Sequence, residues 1–295
     1  KEIRRARTSW LHGGSGDPHR GGNGVQARQV AADSFDPSQP RRQQLAPPWH
    51  PATPSNVLLV LSCGCEWGGA ESGHDTPPSP CSSTALPVTT MPDHPLNKDS
   101  QPSISPQSAI DELRAGNQRF LNHSTLERDW ANDISKTTGG QHPFAIVIGC
   151  IDSRVPVETI FDQGIGDIFT ARVAGNIVNE DLLGSLEFAC KLAGAKAIVV
   201  LGHTSCGAIK GAIDGVRLGH LTTLLNKIEP IIDKVSAAMD RDDPGFADAV
   251  AEANIVNTVD VIRDNSEILV RMESSGDISI VGAMYNVATG EVCFY

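Results

Sequence analysis

The sequence predicts a single α/β domain with a mostly parallel β-sheet flanked by helices. Short, continuously apolar runs, typical of strands buried on both faces, alternate with segments of helical periodicity. The segments between these runs are long enough for the crossover helices that parallel strands require. The chain has 295 residues, which suffices for one domain with a large core after the unpatterned N-terminal stretch is set aside.

The predicted elements follow one another along the chain in alternation. Apolar runs rich in β-branched residues predict the strands 144–149, 167–172, 197–202, 277–285 and 291–295. Helical spacing of apolar residues predicts the helices 155–163, 180–193, 206–214, 218–240 and 246–272. Pro244 and Gly245 mark the break between the last two helices.

An N-terminal arm with partly helical spacing precedes the first strand, at about 105–135. Its apolar residues are Ile104, Ile110, Leu113, Phe120 and Leu121. A lone helix ahead of a compact domain needs a surface on which to bury such a stripe, and a neighbouring subunit is the expected one.

Residues 1–100 have a different composition, dense in Gly, Pro, Ser, Arg and Gln and without sustained periodicity. We expect a disordered or non-native extension over 1–100 and a domain over 101–295, because such a composition cannot bury enough apolar surface to fold. The apolar run 57–61 is too short for a signal peptide. No run approaches the roughly 18 apolar residues of a membrane span, so no membrane partner is expected.

Charge and cysteine content narrow the class of protein further. The net charge of −11 and the lack of a basic stripe argue against a nucleic-acid partner. The seven cysteines form an odd set, and two of them belong to the candidate site described next. This usage does not resemble a disulfide framework and predicts a reducing, cytoplasmic location.

Chemically reactive side chains follow two of the predicted strands. Cys150, Asp152 and Arg154 come directly after strand 144–149, and His203 and Cys206 come directly after strand 197–202. Sites in parallel sheets form beyond the carboxyl ends of the strands. Two cysteines and one histidine are the ligand set of a catalytic Zn²⁺ with an open fourth position. The alternative, a buried cysteine, a surface ion pair and a core histidine, leaves the repeated arrangement of strand and ligand unexplained.

The charges of this ligand set predict what else the site needs. Zinc with two thiolates and a neutral imidazole carries no net charge, so its water is less acidified than on a three-histidine zinc. Asp152 can accept a hydrogen bond from the zinc-bound hydroxide, and Arg154 can hold Asp152 ionised by a bidentate pair.

The chain resembles the β-class carbonic anhydrases. The residues that carry the resemblance are CIDSRVPVETIFDQGIGDIFTARVAGNIVNEDLLGSLEFACKLAGAKAIVVLGHTSCGAIKGAI (150–213), AIDELRAGNQRFL (109–121) and IVGAMYNVATGEVCFY (280–295). The resemblance implies the β-carbonic anhydrase fold and the zinc-dependent reversible hydration of carbon dioxide to bicarbonate and a proton. It also implies that Cys150, His203 and Cys206 bind zinc, and that Asp152 and Arg154 are the catalytic dyad.

Substrate-binding residues are implied at further positions. Gln141 matches a glutamine that donates a hydrogen bond to substrate, and Phe169 and Ala174 match apolar positions beside the carbon dioxide pocket. The family often has Asn-Val-Ala-Asn where this chain has 173–176, Val-Ala-Gly-Asn. Gly207 would let the backbone approach the metal. It would also be the first residue of a helix whose N–H groups face anions.

In some family members the carboxylate that matches Asp152 moves onto the zinc as a fourth ligand in a closed resting state. Members whose closure is regulated by bicarbonate carry a tryptophan three residues before the first ligand. Here that position is Val147, which favours a constitutively open form.

The resemblance further implies a homodimer, with a tetramer as the larger alternative, whose arms embrace the partner and bring Gln141 to the partner's site. Two other functions remain open from the sequence. A hydrolase of carbon disulfide or carbonyl sulfide would use the same ligands and dyad, and activity on each gas separates the two enzymes. A non-catalytic zinc-stabilised interaction protein would have no use for the dyad.

Overall fold

A computed structural model describes residues 94–295. The predicted extension over 1–100, including the apolar run 57–61, therefore lies outside the described residues except for its last part, 94–100. In that part Leu96 is buried, and His94 Nδ1 lies 3.0 Å from Asp167 Oδ1. Residues 94–100 therefore pack on the domain that follows them.

The fold is built on one five-stranded sheet in the order β2-β1-β3-β4-β5. The strands are β1 (Ala145–Gly149), β2 (Ile168–Arg172), β3 (Ala197–His203), β4 (Ser279–Tyr285) and β5 (Val292–Phe294). The first four are parallel to their neighbours, and β5 pairs antiparallel with β4. The prediction of a mostly parallel sheet is confirmed, and each predicted strand is present within two residues of its expected bounds.

The central strands β1 and β3 are buried along their whole length. Side chains alternate between the two faces of a strand, so β1 supplies Ile146 and Ile148 to one core cluster and Ala145 and Val147 to the other. Burial on both faces is why these segments are continuously apolar in the sequence.

Helices cover both faces of the sheet. They are α1 (Pro106–Leu121), α2 (Trp130–Thr137), α3 (Val157–Ile160), α4 (Glu180–Glu187), α5 (Gly207–Ile213), α6 (Gly219–Leu225), α7 (Glu229–Ser236), α8 (Phe246–Asn265) and α9 (Glu267–Ser274). Residues of α1 and α3 join one core cluster, and residues of α4, α5, α7 and α8 join the other. The sheet is therefore the middle of three layers.

Two long helices of the sequence prediction are each divided in two. The predicted helix 218–240 becomes α6 and α7, because Pro230 lies in the first turn of α7 and a proline cannot sit inside a continuous helix. The predicted helix 246–272 becomes α8 and α9. Ser266 lies between them with an extended backbone, and its side chain caps α9 by accepting from the N–H of Leu269.

Two other helices differ from the prediction in length or form. The segment 155–163 contains only the four-residue α3, followed by Asp162 in the left-handed region. The segment 180–193 forms α4 and then a π-helical turn over Phe188–Leu192. Local apolar spacing located both helices but did not reveal these changes.

The premise that a neighbouring subunit buries the stripe of the arm was wrong. Ile104, Ile110 and Leu113 are all buried within the chain itself, in the same core cluster as Val147 of β1. The sheet face that α1 covers would otherwise be open, and this is the surface that the stripe needs. Phe120 and Leu121 are partly exposed.

Buried ion pairs tie the arm to the loop before β2. Arg119 of α1 donates from Nη2 to Glu112 Oε1 at 2.8 Å and from Nε to Asp162 Oδ2 at 2.5 Å. Arg128, which follows α1, pairs with Asp167 at 3.2 Å. Leaving such buried carboxylates without partners is costly, so the arm is an integral part of its own domain.

Close approach between α8 and the sheet requires glycine at Gly282 of β4, where an added Cβ would lie 2.6 Å from Cγ2 of buried Ile255. Gly282→Ala is expected to lower the free energy of unfolding by about 1–3 kcal/mol through overpacking. The measurement is chemical denaturation followed by circular dichroism. The matched control is Gly211→Ala in α5, where the new Cβ meets only ordinary contacts at 3.7 Å or more. Equal stability of the two variants would contradict this packing argument.

Two further features concern the setting of the protein. None of the helices within 94–295 is long and apolar enough to span a membrane. Among the described residues, Cys150, Cys190 and Cys206 are free thiols. The reducing, cytoplasmic location stays a prediction.

Candidate metal centre

Three metal-ligating side chains meet at the carboxyl edge of the sheet. Cys150 is the residue after β1, His203 is the last residue of β3, and Cys206 precedes α5. Because β1 and β3 are parallel neighbours, with Gly149 opposite Leu201, their ends bring the three side chains together. Their ligand atoms all lie within 4.8 Å of one another, and the two sulfur atoms are 4.0 Å apart.

The donor set of this cluster fits zinc. The Nδ1–H of His203 donates to the carbonyl oxygen of Thr204 at 2.9 Å, which leaves the lone pair on Nε2. That Nε2 is fully buried and has no hydrogen-bond partner, an arrangement expected of a metal ligand whose other ring nitrogen fixes its orientation. The sulfur–sulfur distance is close to the roughly 3.8 Å that tetrahedral Zn–S bonds of about 2.3 Å require.

The two thiols perturb each other in opposite directions. The pKa of the Cys150 thiol is lowered, first by its hydrogen bond with Cys206, and further by the nearby His203 imidazole and the Gly175 N–H. The pKa of the Cys206 thiol is raised by the same contact with Cys150 and by burial. Two adjacent buried thiolates repel each other, so holding both ionised calls for a cation between them.

Asp152 and Arg154 form a bidentate pair beside the cluster. Arg154 donates from its backbone N and from Nε to Asp152 Oδ1, both at 2.9 Å, and from Nη2 to Oδ2 at 2.8 Å. The Arg154 guanidinium thereby holds the pKa of Asp152 well below its usual range. Asp152 Oδ2 is also 4.0 Å from His203 Nε2, so the ionised carboxylate borders the ligand cluster.

Arg172 is a residue of this site that the sequence analysis did not single out. It ends β2, and it donates from Nε to the Cys150 carbonyl at 2.7 Å and from Nη2 to the Asp152 carbonyl at 2.5 Å. These bonds brace the loop that carries Cys150 and Asp152. The usable signal was an arginine at the end of the strand expected beside β1.

Two residues of α8 were missed entirely. Asp248 accepts a hydrogen bond from the backbone of Ser205, and Asn254 donates one to the backbone of Gly175. Both backbone groups belong to loops that border the ligands. No sequence motif surrounds either residue.

Of the four predicted substrate-binding residues, two lie near the ligand cluster and two do not. Gly207 is the exposed first residue of α5, next to Cys206, and Ala174 precedes Gly175, whose N–H lies 3.4 Å from Cys150 Sγ. Phe169 is the second residue of the edge strand β2, away from its carboxyl end, and lines a groove of about 510 Å³ together with Phe188. Gln141 is exposed at the opposite end of β1, so the fold of one chain does not bring it to the cluster.

Known proteins resemble this chain in sequence and in fold. The family model described as "Carbonic anhydrase" matches residues 145–292. Carbonic anhydrase 2 of Mycobacterium tuberculosis is 32% identical over 196 residues, which cover 64% of this chain and 92% of that protein. A carbonic anhydrase of Mycolicibacterium smegmatis is 34% identical over 198 residues, covering 65% of this chain and 94% of that protein.

Solved structures give the same result. The β-carbonic anhydrase CafA of Aspergillus fumigatus is 26% identical with a TM-score of 0.51, covering 64% of this chain and 89% of that one. A β-carbonic anhydrase from Sordaria macrospora, described as tetrameric, is 26% identical with a TM-score of 0.50, covering 63% and 95%. The chain belongs to the β-class carbonic anhydrases.

Proposed function

We propose that this protein catalyses the reversible hydration of carbon dioxide at a zinc ion held by Cys150, His203 and Cys206. The observation that carries the proposal is the buried cluster of three ligand atoms, with an ionised carboxylate 4.0 Å from the orphaned His203 Nε2. When bound, zinc would supply a Lewis acid that lowers the pKa of water toward neutrality. Its three protein ligands would leave one position open for that chemistry.

Asp152 and Arg154 are proposed to orient the nucleophile. A carboxylate accepts hydrogen bonds only, so Asp152 can hold the remaining O–H of the attacking oxygen and direct a lone pair toward carbon dioxide. Arg154 keeps Asp152 ionised and in place, and Arg154 is itself held by the carbonyl of Ser205 at 3.2 Å. Arg172 holds the backbone on either side of this carboxylate.

The dyad geometry supports an open resting form. Both carboxylate oxygens of Asp152 accept hydrogen bonds from Arg154, and a move of Asp152 onto the metal would break them. The buried Val147 faces the core cluster on the α1 side of the sheet, where it offers no polar group that would favour closure. We therefore propose that Asp152 is not a metal ligand at rest.

The functional test is metal analysis and stopped-flow kinetics on the full chain. One zinc per chain and rapid hydration of carbon dioxide are expected. The same preparation assayed with carbon disulfide and carbonyl sulfide distinguishes a hydrolase of those gases. Zinc without activity on any of the three would indicate a structural metal site and overturn the proposed function.

Assembly into a homodimer or tetramer is proposed from surfaces that one chain leaves open. The strand β2 lies at the edge of the sheet and is only partly buried, and exposed edges invite pairing. Phe188 and Leu192 beside it are 49% and 76% exposed, and Trp130 and Ile134 of α2 are 52% and 56% exposed. The tetrameric state of the Sordaria macrospora relative supports the same proposal. Gln141 would then serve the site of a partner.

Light scattering on the full chain is expected to give at least twice the monomer mass of 31.3 kDa. Leu192→Glu should weaken association, because it places a charge on an exposed apolar surface beside the open edge of the sheet. The matched control is Leu218→Glu, since Leu218 is 69% exposed but lies just before α6. A wild-type monomer with full activity would contradict the shared site.

A further inference from the structure

The helix α8 contacts both loops that border the metal ligands. Asp248 Oδ1 accepts the backbone N–H of Ser205 at 2.8 Å. Six residues later, Asn254 Nδ2 donates to the carbonyl of Gly175 at 2.8 Å. The first contact reaches the loop of His203 and Cys206, and the second reaches the turn that contacts Cys150.

The first contact acts on a strained turn. Ser205 has φ of +55°, in the left-handed region that is unfavourable for a non-glycine residue. This residue lies between His203 and Cys206, so its conformation sets how the imidazole and the second thiol approach each other. Its carbonyl oxygen accepts from Arg154 at 3.2 Å. The Asp248 carboxylate therefore holds one turn that serves both the ligands and the dyad.

The second contact acts on a sulfur ligand. The N–H of Gly175 lies 3.4 Å from Cys150 Sγ, and Gly175 has φ of +70° in a crowded position where a Cβ would lie 3.0 Å from Ile228. Asn254 is 1% exposed and fixes the carbonyl of the same residue. A hydrogen bond to a coordinating sulfur tunes the charge that the sulfur gives to the metal.

The helix that carries both side chains is rigidly placed. It has 20 residues, and Val250 and Ile255 on it are completely buried in the core cluster. It packs on β3 and β4, so its position relative to the carboxyl edge of the sheet is set by the core. Side chains on such an element can hold loops more accurately than the loops can hold themselves.

We propose that Asp248 and Asn254 are positioning residues of the metal centre, through which α8 holds the Ser205 turn and the Gly175 turn in their ligand-binding conformations. This inference rests on the proposed zinc function. It adds to that function two residues that touch neither metal nor substrate. Their loss is expected to weaken zinc binding in protein that remains folded.

The first test is competition for zinc between the metal-free full chain and a chelator. Asp248→Ala is expected to weaken zinc affinity by about 10–100-fold, the range typical of residues that orient metal ligands. Asp248→Asn keeps an oxygen that can accept the Ser205 N–H, so its affinity should stay close to that of the wild type. The matched control is Asp264→Ala, an exposed aspartate near the end of the same helix, which should bind zinc normally.

The second test replaces zinc by cobalt and measures the absorption that reports on the bond between the Cys150 sulfur and the metal. Asn254→Ala is expected to shift the sulfur-to-cobalt charge-transfer absorption, because the Gly175 N–H is no longer held against the thiolate. A purely structural role would lower thermal stability without moving this band. If Asp248→Ala does not fold, as judged by circular dichroism, the cobalt spectrum of Asn254→Ala decides the proposal alone.

The outcomes separate the positioning role from the function on which it rests. Normal zinc affinity in folded Asp248→Ala, or an unshifted cobalt spectrum in Asn254→Ala, would overturn the positioning role and leave the zinc enzyme intact. Equal losses in Asp248→Asn and Asp248→Ala would overturn the hydrogen-bond argument for Asp248. Wild-type protein that binds no zinc would overturn both proposals together.

Discussion

Cys206→Ala is expected to abolish zinc binding and carbon dioxide hydration together. Removal of this sulfur leaves only Cys150 and His203 as protein ligands, fewer than the three of a catalytic zinc site. The remaining thiol would also lose the neighbour 4.0 Å away that lowers its pKa. The measurement is zinc content after dialysis, combined with stopped-flow hydration on the same sample.

The matched control for this variant is Cys190→Ala. Cys190 is also a buried free thiol, but burial raises its pKa to about 12, and it lies in the π-helical turn after α4, outside the ligand cluster. This change should reduce thermal stability slightly and leave zinc content and turnover intact. Full zinc content in Cys206→Ala would refute the ligand assignment.

The sequence was most informative where a buried strand is followed directly by reactive side chains, because the apolar run and the side chains then stand next to each other in the chain. The runs before Cys150 and His203 are apolar because β1 and β3 are buried on both faces, and the ligands follow because parallel strands end at one edge. Five strands and three candidate ligands could therefore be located from the amino-acid pattern alone. The pair of Asp152 and Arg154 was equally accessible, because the two residues are only two positions apart.

Contacts between distant segments left no such local signal. Ser205 and Asp248 are 43 residues apart, and Gly175 and Asn254 are 79 apart, so no spacing pattern links either pair. The prediction that a neighbouring subunit covers the apolar stripe of α1 was wrong for a related reason. Apolar spacing states that a face must be covered but not whether the chain's own sheet or a partner covers it.

The sequence indicates some of the breaks within the predicted helices but not others. Pro230 is a recognisable barrier to a continuous helix 218–240, and its position in the first turn of α7 agrees with that role. Ser266 was less visible, because serine also occurs within helices. Its capping of α9 and its hydrogen bond to Glu187 at 2.6 Å depend on how α8 returns to the core.

Asp152→Asn is expected to reduce hydration by about 10²–10⁴-fold, the usual contribution of a positioned acid–base group, with near-normal zinc content. No proposed ligand is altered, so the metal should remain. The amide nitrogen of asparagine would face the guanidinium of Arg154, donor against donor, where Oδ2 now accepts at 2.8 Å. The negative charge that Arg154 stabilises would also be lost.

The pH dependence of the wild type gives an independent check on the same residue. The pKa of Asp152 is lowered, first by the hydrogen bonds of Arg154, so the carboxylate remains ionised on the alkaline side of that low value. A loss of activity between about pH 6 and 8 would therefore not come from protonation of Asp152. Asp214→Asn, an exposed aspartate at the end of α5, is the matched control and should keep wild-type kinetics. Wild-type turnover in Asp152→Asn would mean that the pair with Arg154 is structural, and that the orienting role belongs to another group beside the metal.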